Sequence, residues 1–475
     1  MAGVEFGANG IRGITGQWPF VPAIAVRIGQ ALGQFVSGRS ERPSVVIGRD
    51  TRSSGADLLP CLVAGLTGHG VNVTNLGVMT TPGVAFLARR LRADLGVVIS
   101  ASHSPLEYNG IKLVGSNGLR LQREEEIEIE SLINEFAARA VEYGATLGQQ
   151  ANGQHLIELY IQDHVKRCLA ESLEGLKVVL DCADGAASRV APEAFKQLDA
   201  EIVVINDAVE GKSINYRCGS EYTRGHPQDL MEAVRQHGAT YGFAFDGDGD
   251  RLVVVDADGG VFDGNDLLFV LGMYFRSQGL LRGDAVVTTH LANRGLEEAL
   301  NRAGVRTVYT GKGDKNLEAA MWRGDFLLGG ETGGNIIIND GHHTAADAVY
   351  AALVLGGALV QNQDTSLREM AAPLQKLPQI TVSFKVSTTI TLEQRETLEK
   401  LIRGMLPELG EDSRILFWES SIEPGVFRVM VEGGRESMPG EVSRTADGIR
   451  QLIQQAAGQK PPDVTAPDAI AGRNP

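Results

Sequence analysis

The stretch richest in chemistry is FDGDGDR, residues 245–251. Its aspartates Asp246, Asp248 and Asp250 alternate with glycines, so three carboxylates can converge on one point without side-chain clashes. Such a trio suits a hard cation such as Mg²⁺, with phosphate oxygens completing the shell. A calcium EF-hand is the competing reading and fails. Arg251 stands where that loop needs glycine, Ala257 stands where it needs a bidentate glutamate, and the flanking runs 242–245 and 252–255 read as strands, not helices. An acidic hairpin turn accounts for residues 256–260 but not for three spaced aspartates.

Two more loops could take part. SASHSP, residues 100–105, follows an apolar run at 96–99; a serine presented this way can be a nucleophile, a phosphoryl carrier or simply a turn residue. GxSxG and GxxxxGK[ST] are both missing, which argues against an α/β-hydrolase elbow and a P-loop. GGETGGN, residues 329–335, carries Glu331, which could accept hydrogen bonds from two adjacent sugar hydroxyls; a plain loop is an equal reading in isolation. Arg12, Arg49, Arg52, Lys112 and Arg251 lie in loops. Each alone is most simply a solvated charge, but arginine forks suit phosphate.

These loops need a scaffold, and the chain repeats one. A β-branched run, a turn, a helix and a second apolar run occur at 44–49, 56–67 and 71–76, again at 177–181, 188–197 and 200–205, and again at 284–289, 294–302 and 305–309. Alternation of this kind predicts parallel βαβ units and three related α/β domains. From about residue 377 two alternating runs, 380–386 and 427–431, surround a helix that begins after Thr391 with Glu393 at its start, and a further helix spans 443–456. This reads as a small α+β domain joined by the polar segment 361–375. The tail after Gly458 reads as disordered.

Bulk properties agree. A chain of 475 residues exceeds what one core can support, so several domains are expected. A net charge of −15 argues against nucleic-acid or membrane-surface binding and requires a locally basic cleft for any anionic substrate. Cys61, Cys168, Cys182 and Cys218 are scattered, without metal spacing, and read as buried thiols of a reducing cytoplasm. No signal peptide is indicated, and the apolar run 348–360 is too short to span a bilayer, so it reads as a buried helix.

In this order the loops resemble those of the α-D-phosphohexomutase family. FGANGIRG (6–13), GRDTRSSG (48–55), SASHSP with NGIK (109–112), DGDGDR, GGETGGN and RVMVEG (428–433) carry the resemblance over residues 4–456. It implies three α/β domains with mixed sheets plus a C-terminal α+β, TATA-box-binding-protein-like domain, with the active site where the four meet. The expected boundaries are 1–150, 151–256, 257–370 and 371–457, with the tail 458–475. The resemblance further implies that Ser102 is the phosphoserine, and that Mg²⁺ is held by Asp246, Asp248, Asp250 and the phosphate on Ser102. Lys112 would be the general acid/base, His103 part of the catalytic set, and Arg12 and Arg251 the clamps on the reacting phosphate. Substrate would meet Glu331, Thr332, Gly333, Asn335, Asp314, Ser420, Glu423 and Arg428. A hexose 1,6-bisphosphate would serve as intermediate and activator.

The substrate implied is a glucosamine phosphate, in a cytoplasmic enzyme for which a homodimer is one open assembly. Glucose or mannose phosphate, or a non-catalytic sugar-phosphate-binding paralogue, are the alternatives. The sequence departs from the family pattern at Ala8 and Asn9 of the first loop, and at Gly333 and Asn335, which replace serine and histidine. It departs again in WESSIEP (418–424), where Trp418, Ser421 and Ile422 replace arginine, glycine and threonine. Asn335 cannot exchange a proton near neutral pH, and the altered 418–424 segment predicts weak hold on a distal phosphate.

Overall fold

The computed structural model describes residues 3–7, 10–137, 146–386, 390–410, 412–419 and 425–457, the side chains of residues 392, 393 and 408 excepted. They divide into two compact units, residues 1–290 with 303–373, and residues 291–302 with the chain from 374 onward.

The first unit holds three sheets. The strands are β1 (Ile11–Ile14), β2 (Ser44–Arg49), β3 (Asn72–Val78), β4 (Leu95–Ile99), β5 (Tyr108–Gly115), β6 (Gln150–Asn152), β7 (Lys177–Asp181), β8 (Glu201–Ile205), β9 (Tyr241–Phe245), β10 (Leu252–Asp256), β11 (Val261–Phe262), β12 (Ala285–Thr289), β13 (Arg306–Thr310), β14 (Leu328–Gly330) and β15 (Ile336–Ile338). They form sheets ordered β1-β5-β4-β2-β3-β6, β11-β10-β9-β7-β8 and β13-β12-β14-β15. The pairs β2–β3, β7–β8 and β12–β13 are parallel, as the repeated pattern predicts, and each sheet also carries antiparallel partners, so all three are mixed. The helix foreseen at 188–197 is split into a 3₁₀ turn at Ala186–Arg189 and a helix at Ala191–Gln197, since Pro192 at its start fits a helix N-terminus but not an interior.

The apolar run near residue 350 is the helix Ala348–Gln361, in which residues 348–359 are all buried. A Cβ on Gly356 would meet Leu173 and Leu176 at 3.2–3.4 Å, so this helix of the third repeat packs closely against the second. Among the described residues no helix is long and apolar enough to cross a membrane. Cys168, Cys182 and Cys218 are buried and unbridged as expected, but Cys61 is only half-buried, on the helix Ser53–Gly68.

The second unit has its own core, formed by Val429, Val431, Leu398, Ile402, Ile449 and Ile453 among others. Its sheet has three strands, ordered β16 (Gln379–Lys385), β18 (Val426–Glu432), β17 (Arg414–Glu419), all antiparallel. The helices Leu392–Met405 and Pro439–Ala456 accompany it. Strand β17 was not foreseen, and the first helix is capped by reciprocal bonds between Thr391 and Gln394. The side chain of Glu393, the residue expected at that helix start, lies outside the described residues, as do residues 458–475.

Candidate active site

Three neighbouring strands of the first sheet and one hairpin of the second converge on Ser102. The serine follows β4, Lys112 lies on β5, and Arg12 lies on β1 opposite Gly110 of β5. The aspartate loop is the turn of the β9–β10 hairpin, which pairs Phe245 with Leu252. Its glycines are needed as expected: Gly249 has φ of +74°, and a Cβ on Gly247 would lie 2.8 Å from the Ser102 carbonyl.

Ser102 itself has φ of +53°, a left-handed backbone that is costly for a residue other than glycine and persists only where the surroundings hold it. What holds it is Arg52. The Arg52 guanidinium is fully buried, and its Nε donates to Asp50 at 3.0 Å. Its Nη1 donates to the carbonyls of Pro105 and Tyr108, and its Nη2 to those of Ser102 and Ser104. All five N–H donors are thereby used, so Arg52 is a clamp on the serine loop and its fork is not open to phosphate. Asp50 also accepts from Ser100 Oγ at 2.6 Å, and Ser100 Oγ in turn accepts the Ser102 amide at 2.9 Å. Arg49 ends β2 and is half-buried. It donates to the Asp50 carbonyl and lines a cavity of about 120 Å³ with Leu76, Gln154 and Arg189.

The Ser102 hydroxyl donates to Asp246 Oδ2 at 2.6 Å and lies 3.2 Å from His103 Nδ1. The other Asp246 oxygen accepts the amides of Asp250 and Arg251, which fixes the loop around it. Lys112 is buried and donates to Asp248 at 2.5 Å and to Asp250 at 3.2 Å. Thr81, which the sequence reading missed, donates to the same Asp248 oxygen. One ligand atom from each aspartate lies within 4.8 Å of the other two. The second Asp248 oxygen is buried with no hydrogen-bond partner, which is the condition a bound dication would relieve.

The electrostatics follow from crowding. Burial, then Asp250 and Asp248, push the Asp246 carboxyl well above its usual range. Burial also acts on Asp248, but Lys112 outweighs it and holds that carboxylate ionised. Burial pulls Lys112 down, yet Asp248 and Asp250 more than offset this and keep it protonated. Half-buried His103 is pulled well below the usual imidazole range by burial, assisted by Arg251 and Arg12. Arg12 donates to Ser104 Oγ at 3.3 Å and Arg251 pairs with Glu221 at 3.4 Å; the buried Nε of each makes no hydrogen bond, though that of Arg251 lies 4.0 Å from Asp250 Oδ1. Lys112, Arg12 and Arg251 thus bring three cations beside the three carboxylates.

The glycine loop adjoins this cluster. Asn335 is buried and donates to the Asp250 carbonyl at 3.4 Å, and a Cβ on Gly333 would lie 3.7 Å from the Arg251 guanidinium. Glu331 accepts the Gly313 amide, and its carboxyl is pushed up by burial and by neighbouring Asp314. Thr332 contacts Asn265 at 3.4 Å. Asp314 opens the helix Asp314–Gly324 and lies 3.8 Å from Arg120, which with Glu318 forms a buried group the sequence did not signal. Arg428 belongs to the second unit, mid-strand and opposite Trp418, so position 418 is strand rather than loop. Ser420, Glu423 and the altered positions Ser421 and Ile422 lie outside the described residues, as do Ala8 and Asn9.

A serine hydroxyl against three carboxylates, a buried lysine and two arginine edges defines a phosphoryl-transfer site on three linked α/β repeats. Models described as phosphoglucomutase/phosphomannomutase alpha/beta/alpha domains I, II and III match residues 3–140, 158–260 and 263–377. The chain belongs to this family and is a phosphohexomutase, an isomerase that acts as an intramolecular phosphotransferase. It is 38% identical over 452 residues to the phosphoglucosamine mutase of Bacillus licheniformis, covering 94% of this chain and 98% of the relative. It is 38% identical over 453 residues to that of Limosilactobacillus reuteri, again covering 94% and 98%. The fold matches a phosphoglucomutase/phosphomannomutase family protein from Burkholderia thailandensis with TM-score 0.77 at 23% identity, over 95% of this chain and 97% of the other. It also matches the N-acetylphosphoglucosamine mutase of Aspergillus fumigatus, solved with GlcNAc-6P and magnesium, with TM-score 0.63 at 17% identity over 95% and 96%.

Proposed function

We propose that this phosphohexomutase interconverts glucosamine 6-phosphate and glucosamine 1-phosphate in the cytoplasm, with Ser102 as the phosphoryl carrier and a bisphosphorylated sugar as intermediate and activator. The observation that carries the reading is the 2.6 Å bond from Ser102 Oγ to Asp246 inside a trio of buried aspartates. Asp246, Asp248 and Asp250 would hold Mg²⁺, which when bound neutralises charge on the phosphate being transferred. The partnerless Asp248 oxygen and the all-oxygen donor set fit that ion. Lys112, kept protonated by Asp248 and Asp250, exchanges a proton with the sugar hydroxyl. Arg12 and Arg251 offer the phosphate oxygens Nε edges that make no hydrogen bond within the protein. Glu331, Thr332, Gly333, Asn335 and Asp314 face the sugar. Ser420, Glu423 and Arg428 take the distal phosphate, in a partition at 1–150, 151–256, 257–370 and 371–457. The 38% identity to phosphoglucosamine mutases over nearly the whole chain supports the choice of sugar.

A coupled assay with glucosamine, glucose and mannose phosphates, each with its bisphosphate, tests the reading. Turnover should be fastest on glucosamine phosphate, and mass spectrometry should find phosphate on the Ser102 peptide. Preference for glucose or mannose phosphate would correct the sugar, and a Ser102 that no bisphosphate phosphorylates would remove the mechanism.

A further inference from the structure

Behind the aspartate loop lies a second buried cluster that the chemistry above does not use. His164 of the helix Ile157–Arg167 and His343 and Asp347 of the segment leading into the helix Ala348–Gln361 are 0%, 3% and 2% exposed. One ligand atom from each lies within 4.8 Å of the other two. The outward nitrogen of each ring already faces an acceptor: His164 Nδ1 lies 2.8 Å from the Tyr160 carbonyl, and His343 Nε2 lies 3.0 Å from Asp163 Oδ2. Such contacts place the proton of a neutral ring on its outer nitrogen, and carbonyl or carboxylate partners of this kind orient metal-binding histidines.

The inner nitrogens both face a single carboxylate oxygen. His164 Nε2 is 3.0 Å, and His343 Nδ1 3.7 Å, from Asp347 Oδ2. A proton shared between His164 and Asp347 serves one of these contacts, but the other is too long for a hydrogen bond. A cation at the focus serves all three at once. Two imidazole nitrogens with one carboxylate favour a transition metal such as Zn²⁺ over Mg²⁺, which prefers oxygen. Tyr160, whose hydroxyl donates to the same Asp347 oxygen at 2.5 Å, orients that carboxylate.

We propose that His164, His343 and Asp347 form a second, structural metal site of the Zn²⁺ class, separate from the aspartate loop. Its position gives it a task. The other Asp347 oxygen accepts the Tyr350 amide and caps the buried helix, and the first amide of that helix, Ala348, donates to the carbonyl of Gly249 in the aspartate loop. A metal here would tie the helix Ile157–Arg167 to the support of that loop.

The test uses full-length protein and Co²⁺ or Zn²⁺ alone as probe, in both wild type and an Asp248→Asn variant that cripples the aspartate loop. Asp248→Asn should still bind one equivalent at micromolar free metal, with the visible spectrum of tetrahedral cobalt and a raised Tm. Adding His164→Gln or His343→Gln should abolish both signals. No bound equivalent in the Asp248→Asn protein, or retention in both histidine variants, overturns the proposal. If the histidine variants do not fold, X-ray absorption of the zinc-loaded Asp248→Asn protein decides: a shell with two imidazole nitrogens upholds the site, and an oxygen-only shell overturns it.

Discussion

Asp248 carries more of the site than its neighbours, because one of its oxygens holds Lys112 and Thr81 while the other is left for a cation. Loss of residues that merely support metal ligands costs roughly 10–100-fold in metal affinity, so Asp248→Asn should cost at least that, measured by Mg²⁺ titration of turnover. Ser102→Ala should abolish turnover and the phosphopeptide while changing stability by only about 1–2 kcal/mol, read by denaturant unfolding, since only the hydroxyl contacts with Asp246 and His103 are removed. Glu318 offers a pH signature. Burial, opposed by Arg120, pushes its carboxyl up to about 7 from an ordinary 4.5. Between those values the folded chain keeps a proton that the unfolded chain has released, so stability falls as pH rises through this window. Glu318→Gln should flatten that slope and raise stability at pH 8 by up to about 3 kcal/mol, as followed by urea unfolding across pH.

At the scale of elements, the strand–loop junctions decide reactivity. The five-donor clamp of Arg52 keeps the serine loop in its left-handed turn, and lysine has only three donors on one nitrogen. Arg52→Lys should therefore destabilise the protein by about 1–3 kcal/mol and lower kcat more than it raises KM, checked by steady-state kinetics beside thermal unfolding. The aspartate loop was legible in the sequence because its ligands are adjacent and its glycines announce the turn. The clamp role of Arg52, read in the sequence only as a solvated charge or a fork suited to phosphate, was hidden because its acceptors, residues 102 to 108, lie some fifty positions away, at a distance only the fold closes. The Arg120–Glu318 contact spans 198 positions and was invisible for the same reason. The parallel repeats were legible from alternating apolar runs. Strand β17 was not, because RILFWE places four apolar residues in a row and its strand is half-buried on both faces, leaving no period to read.

At the scale of the molecule, two compact units with separate cores should not melt as one. Calorimetry should resolve at least two transitions, and Mg²⁺ should raise the one that belongs to the unit holding the aspartate loop, since a ligand stabilises the state that binds it. A single transition, equally shifted, would contradict this. The buried helix Ala348–Gln361 sets a further boundary. It arises in the third repeat, packs on Leu173 and Leu176 of the second, and supplies the amide that holds the Gly249 carbonyl of the metal loop. Each repeat looks like an interchangeable cassette, yet neither the second nor the third can be transplanted or expressed alone without stripping that helix of its cover or the loop of its anchor. Recombination among relatives should therefore succeed when residues 158–457 travel together, since residues 291–302 belong with the second unit, and fail when a crossover falls between Leu176 and the helix Ala348–Gln361.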